Sequence, residues 1–161
     1  REKDIPYLGI CFGFQLAAVS FARNVCNLSH ANSTEIDNEA DHAIIDILPE
    51  QDDVTDMGGS LRLGANKINI NEQTSAKEIY QSNLISKRHR HRYEFNTKYL
   101  DQFKENGMIF SGESDKGRRM EILEIPSHKF FMGVQYHPEF DSRPGFPEEV
   151  FKAFTIASGK N

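Results

Sequence analysis

"YLGICFGFQ", Tyr7 to Gln15, is the stretch that decides the fold. An apolar run from Ile5 to Ile10 gives way at Phe12 to a helical spacing, and one cysteine stands at the joint between Gly9 and Gly13. A free cysteine packs as a small hydrophobe almost anywhere in a core, so burial alone does not call for such neighbours. Gly9-Ile10-Cys11-Phe12-Gly13 has the layout of a nucleophile elbow, a sharp strand-to-helix turn that lifts a reactive side chain clear of a sheet. Small flanking residues let neighbouring backbones pass close to it. At a helix start, unpaired N–H groups and the positive end of the dipole lower a thiol pKa. The Phe12 amide would then face an oxyanion forming on a carbonyl attacked by Cys11. The plainer alternative is a buried strand-end cysteine beside packing glycines, and a short motif of this kind does not exclude it.

A cysteine nucleophile needs a base, and the base needs a partner that orients it. "GVQYHPEF", Gly133 to Phe140, follows the apolar run Phe130 to Val134 and sets His137 and Glu139 just past a strand, with Pro138 stiffening the turn. The carboxylate can turn back onto the ring and fix its tautomer, which leaves the other nitrogen for the thiol. Alone, a strand-end His-Pro-Glu reads as an ordinary turn; with Cys11 it reads as a catalytic pair. Cys26 has no such surroundings and is expected to be inert core.

Outward from the elbow, the pattern predicts a helix over 12–24 and strands at Ala43 to Leu48, around Leu61 and Leu63, at Lys67 to Ile70 and over the extended run Arg88 to Phe95. Pro49 closes the first of these, Glu50 to Asp56 reads as an exposed loop, and the glycine pair of Met57 to Gly64 suits a turn. Ser75 can cap a short helix through Tyr80, and Lys98 to Asn106 is a helix stopped at Gly107. Met108 to Gly112, Arg119 to Ile125 and Phe130 to Tyr136 are strand-like, and Pro147 opens a closing helix that ends near Gly159. A strand–helix opening followed by a run of strands implies a three-layer α/β domain whose sheet carries antiparallel additions.

The 161 residues fit one domain, and 38% hydrophobic content with twelve phenylalanines fills a single core. A net charge of -5 argues against a general nucleic-acid binder. Two cysteines are too few for a disulfide scaffold and suggest thiols in a reducing compartment. No stretch approaches a membrane span, and the charged start resembles no signal peptide, so the expectation is a cytoplasmic protein with no membrane association.

With Gly9-x-Cys11-x-Gly13-x-Gln15 and His137-Pro138-Glu139 in place, the chain resembles the class I (triad) glutamine amidotransferases. "ANSTEID" (Ala31 to Asp37) and "RHRHRYEFN" (Arg88 to Asn96), with "MGGSLRLG" and "GVQYHPEF", narrow the resemblance to the glutaminase domains of the CTP synthase family. The resemblance covers essentially the whole chain as a single glutaminase domain, residues 1–161. It implies a three-layer sandwich with a mixed, mainly parallel central sheet, and hydrolysis of L-glutamine through a glutamyl-thioester. The ammonia would pass to a synthetase domain of the same protein, which aminates UTP to CTP using ATP and magnesium; no cofactor and no metal are expected in the glutaminase domain itself. Cys11 would be the nucleophile, His137 the base and acid, and Glu139 its orienting partner. Phe12, Gln15, Glu35 and Arg92 match substrate-binding positions, with Glu35 meeting the α-ammonium and Arg92 the α-carboxylate. The residues agree with this, because a free amino acid asks for one carboxylate and one guanidinium. The full-length protein is expected to be a homo-oligomer.

His89 and His91 alternate with three arginines, which would repel a cation, so a metal site there is disfavoured. If the strand is regular, Arg88, Arg90 and Arg92 share a face, some of it available to the synthetase domain. The sequence departs from the family at Phe12 and Phe14, where Leu and Met are common. It also lacks, before the elbow, the sheet strands and glycine-rich turn that give the family a second oxyanion amide. The expectation is a domain truncated before the nucleophile strand, with an open sheet edge and half an oxyanion hole, a loss worth about 10²–10³ in rate. Two alternatives stand beside this reading: another class I glutaminase, serving GMP or carbamoyl phosphate synthesis, and an inactive regulatory or interaction module of the same fold.

Overall fold

The structure is a computed structural model that describes residues 1–47 and 61–159. Strand β1 (Tyr7–Ile10) runs straight into helix α1 (Phe12–Asn24), with Cys11 as the one residue between them. There follow β2 (Ala31–Ser33), β3 (His42–Asp46), β4 (Arg62–Ile70), α2 (Ser75–Tyr80), β5 (Leu84–His91), β6 (Glu94–Phe95) and α3 (Leu100–Glu105). The chain then forms β7 (Ile109–Ser114), β8 (Arg119–Glu124), β9 (Phe131–Val134) and α4 (Glu149–Gly159).

Six strands form one sheet in the order β1-β9-β8-β7-β4-β5, and β2, β3 and β6 form a second. The α/β class and the mixed sheet are as expected. The balance of pairing differs from the parallel majority anticipated: within the six strands, β1–β9 is parallel and the other four pairs are antiparallel. For two of those four pairs the connections explain this. A parallel neighbour needs a crossover of a dozen or more residues, whereas β7, β8 and β9 follow one another through short turns that allow only antiparallel return.

Side chains alternate across the central sheet into two cores. Phe131 and Leu123 pack on the side of α1 and the second sheet, with Phe14, Ala18, Phe21, Ile44, Phe95 and Phe103. Ile122, Met132 and Val134 face the other way, with Ala76 of α2 and Val150 of α4. This gives three layers, with β1 and β9 near the α1 helix that carries the elbow.

Several local readings need correction. Thr74, not Ser75, caps α2, its hydroxyl accepting from Lys77 N. The extended run at Arg88 starts earlier, at Leu84, and breaks after His91, because the chain leaves the central sheet there and pairs Phe95 with Ile45 in the other. β2 was not foreseen; three residues are too few to show a period. Leu48, Pro49, the Glu50 to Asp56 loop and the Met57 to Ser60 turn lie outside the described residues.

The elbow glycines are not equivalent. A Cβ on Gly9 would sit 2.7 Å from both the carbonyl carbon and oxygen of Gly13 and 2.7 Å from Tyr7 Oη, whereas one on Gly13 would meet only Tyr7 Oη at 3.7 Å. Gly9→Ala is therefore expected to lower stability by about 1–3 kcal/mol, the usual range for overpacking, in urea denaturation, and Gly13→Ala by less; equal losses would count against this assignment.

Candidate active site

The parallel pairing of β1 with β9 brings the elbow and the His-Pro-Glu turn to one edge of the sheet. Gly9 lies opposite Gly133 and Ile10 opposite Val134, and the Cys11 N–H continues the ladder by donating to Val134 O at 2.8 Å. Both strands end there, so Cys11 and the segment Gln135-Tyr136-His137 emerge side by side. The Gln135 amide nitrogen lies 3.8 Å from Cys11 Sγ.

Cys11 has φ 49° and ψ -101°, the strained conformation an elbow requires, at an intrinsic cost of order 1–3 kcal/mol. It makes no side-chain cap on α1, which leaves the first N–H groups of the helix unclaimed by the thiol. The expected lowering of the thiol pKa is not the net result. Burial pushes the Cys11 thiol up and outweighs the pull of the Phe12 N–H; the carboxylates of Glu139 and Glu35 push it further, and the Gln135 amide draws it back slightly. The helix start acts as anticipated, but desolvation wins. Cys26 is buried beside Gln102 O.

His137 Nδ1 is 2.6 Å from Glu139 Oε1. A carboxylate accepts, so Nδ1 donates to Glu139; Nε2 is buried and has no hydrogen-bond partner among the described residues. The turn is fixed from several directions. His137 N donates to Arg88 O at 2.9 Å, and Lys87 binds both Asp141, at 3.1 Å, and Glu148 ahead of α4, at 2.7 Å.

A cavity of about 460 Å³ opens on the thiol, lined by Cys11, Phe12, Gln15, Glu35, Leu61, Arg90, His91, Arg92 and Tyr93. All four residues expected to bind substrate are on its wall, and they come from three separate segments. Glu35 follows β2 and is held there by its N–H to Ser33 Oγ at 3.2 Å. Arg92 sits beyond the end of β5, so it leaves the alternation that keeps Arg88 and Arg90 exposed and His89 and His91 buried. Gln15 Oε1 is buried without a hydrogen-bond partner among the described residues, so the cavity wall carries an unused acceptor. His137 and Glu139 are not wall residues; they stand at the same sheet edge through β9.

Behind β5 lies a buried charge network that sequence reasoning missed, because its acids alternate with apolar residues and look like strand surface. Arg62 and the Ser114 hydroxyl converge on Glu121. His89 Nε2 reaches the other Glu121 oxygen at 2.9 Å, and Arg119 binds Glu94 at 2.6 Å. Burial alone would raise Glu121, but His89 and Arg62 prevail and hold it at about 2. Glu94, buried beside the Glu121 charge, is pushed up to about 7 against the pull of Arg62 and Arg119. Burial, helped by His89 and Arg62, takes His91 down to about 3 and keeps it neutral on the cavity wall. His91 is thus a buried neutral ring and His89 a carboxylate-bound one.

A strained cysteine at a strand-to-helix turn, a carboxylate-bound imidazole just past the neighbouring strand and a cavity of mixed charge define a nucleophile-elbow α/β domain. The chain belongs to the class I glutamine amidotransferase family, whose description, "Glutamine amidotransferase class-I", matches residues 1–157. It is 55% identical over 158 residues to a CTP synthase of Staphylococcus saprophyticus, covering 98% of this chain and 30% of that protein. It is 51% identical over 160 residues to one of Archaeoglobus fulgidus, covering 99% of this chain and 30% of the relative. The chain thus spans under a third of those relatives. Among solved structures, the glutaminase domain of Trypanosoma brucei CTPS with bound acivicin superposes with a TM-score of 0.92 at 38% identity, over 100% of this chain and 62% of that one.

Two measurements test this electrostatic picture. Glu35→Gln removes a negative charge that disfavours the thiolate, so the pH profile of Cys11 alkylation by iodoacetamide should shift to lower pH; an unchanged profile would show that Glu35 does not act on the sulfur. Glu94 is raised from 4.5 in the open chain to about 7, so the folded state holds the extra proton and its stabilising effect fades as pH rises from about 4.5 to 7. Glu94→Gln should flatten the loss of stability across that window in urea titrations.

Proposed function

We propose that this chain is the glutamine-hydrolysing part of a CTP synthase, with Cys11 as nucleophile, His137 as base and acid, and Glu139 as the group that orients the ring. The convergence of Cys11, Phe12, Gln15, Glu35 and Arg92 on one cavity supports the reading most directly. Glutamine would bind with its α-ammonium toward Glu35, its α-carboxylate toward Arg92 and its side-chain amide at the elbow. Phe12 contributes its amide and, being 45% exposed, an apolar wall.

In this reaction His137 Nε2 takes the thiol proton as sulfur attacks the amide carbon, and the negative oxygen of the tetrahedral adduct is met by the Phe12 N–H. Return of that proton to the departing nitrogen releases ammonia and leaves a glutamyl-thioester. Water then attacks the thioester, giving up a proton to His137, and glutamate leaves as the sulfur recovers its proton. Cysteine, imidazole, carboxylate and the attacking water supply every proton and electron pair, so the proposed reaction calls for no metal or cofactor. ATP, magnesium and UTP belong to the synthetase part of the proposed whole enzyme, a cytoplasmic homo-oligomer that would use the ammonia to make CTP. The unpaired Cys11 and Cys26 suit a reducing compartment, and no helix among the described residues is long and apolar enough to cross a membrane.

In the full-length protein, Cys11→Ala should abolish glutamine-dependent CTP formation while leaving formation from added ammonium salts intact. His137→Ala should lower glutamate release by about 10²–10⁴, the usual share of general acid–base catalysis. Arg92→Ala should act mainly on KM for glutamine, by roughly 10- to 100-fold, as expected for a charge-assisted contact. Undiminished glutamate release from Cys11→Ala would overturn the assignment.

A further inference from the structure

Gln135 takes no part in the chemistry described so far, yet it is fully buried and touches the sulfur. Its place follows from a chain of hydrogen bonds whose direction is set at one end. Tyr93 O, where the chain has just left β5, can only accept, so the end of the Gln15 side chain 3.1 Å away must be its nitrogen. The second N–H of that nitrogen points to Gln135, 3.3 Å off, which requires the Gln135 oxygen there. The Gln135 nitrogen is thereby turned the opposite way, toward Cys11 Sγ at 3.8 Å. Both amide orientations, ordinarily ambiguous, are fixed by a single backbone carbonyl.

We infer that Gln135 is a positioning residue for the nucleophile: its amide, oriented through Gln15 by the Tyr93 carbonyl, donates to the Cys11 sulfur and holds it as an acceptor. The inference rests on Cys11 as the reactive thiol of the proposed function. An N–H donor on sulfur favours the thiolate over the thiol and fixes its direction from the elbow. It acts again when the thioester breaks and the sulfur leaves with its electron pair. Arg90 O, 4.0 Å from Sγ on another side, is placed to receive the thiol hydrogen in the resting state. The same relay makes the nucleophile sensitive to the cavity wall, because Gln15 and Tyr93 both line it.

The groups that bear on the thiol are Glu35 after β2, Arg90 and His91 on β5, Arg92 and Tyr93 beyond it, and His137 and Glu139 after β9. Their effects are common to wild type and variants, so a difference on changing Gln135 isolates its own contribution. The test uses the full-length protein without glutamine, following iodoacetamide labelling of the Cys11 peptide by mass spectrometry across pH. Gln135→Met, similar in volume but without a donor, should slow labelling near neutral pH by roughly 2- to 10-fold, the range one hydrogen bond supplies, and shift the profile to higher pH. Gln15→Met, which unlocks the Gln135 amide without touching sulfur, should shift it the same way by less. Gln135→Glu, isosteric but as a carboxylate only an acceptor and a further negative charge beside the sulfur, should shift it upward most. Thermal denaturation checks folding, and if the Gln135 variants do not fold, the Gln15→Met profile decides. A folded Gln135 variant, or in their absence Gln15→Met, with a wild-type labelling profile overturns the inference. That result would leave the glutaminase assignment untouched, since the assignment fails only if Cys11→Ala still releases glutamate.

Discussion

One parallel strand pair carries the arrangement of the whole site. β1 and β9 lie far apart in the chain, and their in-register pairing from Tyr7 and Phe131 to Ile10 and Val134 makes both terminate at the same sheet edge. A parallel partner is the geometry that delivers two C-terminal strand ends together; an antiparallel β9 would send His137 to the far side of the sheet. A slip of one residue would be as damaging, because it would turn Met132 and Val134 out of one core and Phe131 out of the other. Register is therefore held by two hydrophobic cores at once, and the thiol and imidazole inherit that precision. Glycine at 133 permits it, since a Cβ there would lie 2.9 Å from Leu123 Cγ and 3.2 Å from Phe14 Cα, closing the space into which α1 packs.

The second constraint is electrostatic and lies deeper. Two carboxylates, Glu94 and Glu121, share the space behind β5 with Arg62 and Arg119. Buried ion pairs of this kind contribute little net stability compared with apolar packing, but removing one member is strongly destabilising, so the set acts as a unit. Its members come from β4, β6 and β8, while His89 joins it from β5. The strand bearing the basic cavity wall is thereby tied by directional contacts, where apolar side chains alone would allow sliding. The two acids respond oppositely to the same burial because Glu121 receives His89, Arg62 and Ser114 together, while Glu94 keeps one oxygen without a hydrogen-bond partner among the described residues.

Much of this was readable before any coordinates. The elbow announced itself through Gly9, where the backbone of Gly13 leaves no room for a side chain, and through the change of period at Phe12. His-Pro-Glu was legible because Pro138 and a two-residue spacing leave few conformations. Glu35, Gln15 and Arg92 entered only through family resemblance, since nothing local in "ANSTEID" marks an acid that lines a cavity. The parallel majority is what the same resemblance implies, and it does not fit the described strands, where the short turns joining β7, β8 and β9 favour antiparallel return. Gln135, Glu94 and Glu121 left no signal, because a polar residue in a strand reads as exposed unless its partners are known, and those partners are distant in sequence.

The thiol itself shows how these constraints meet. An exposed cysteine at a helix start would carry a substantial thiolate fraction and would be open to alkylation and oxidation. Cys11 instead sits where burial and two carboxylates suppress the anion, with the Phe12 and Gln135 N–H groups opposing them. Under the proposed chemistry, deprotonation is then tied to attack, with the His137 imidazole receiving the proton as the carbon–sulfur bond forms. A substrate ammonium at Glu35 would cancel one of the two charges that hold the thiol protonated. By reciprocity, whatever ligand eases ionisation of Cys11 binds better to the ionised form by the same factor. The cavity that selects an amino acid and the elbow that reacts with it are, on this account, one electrostatic system.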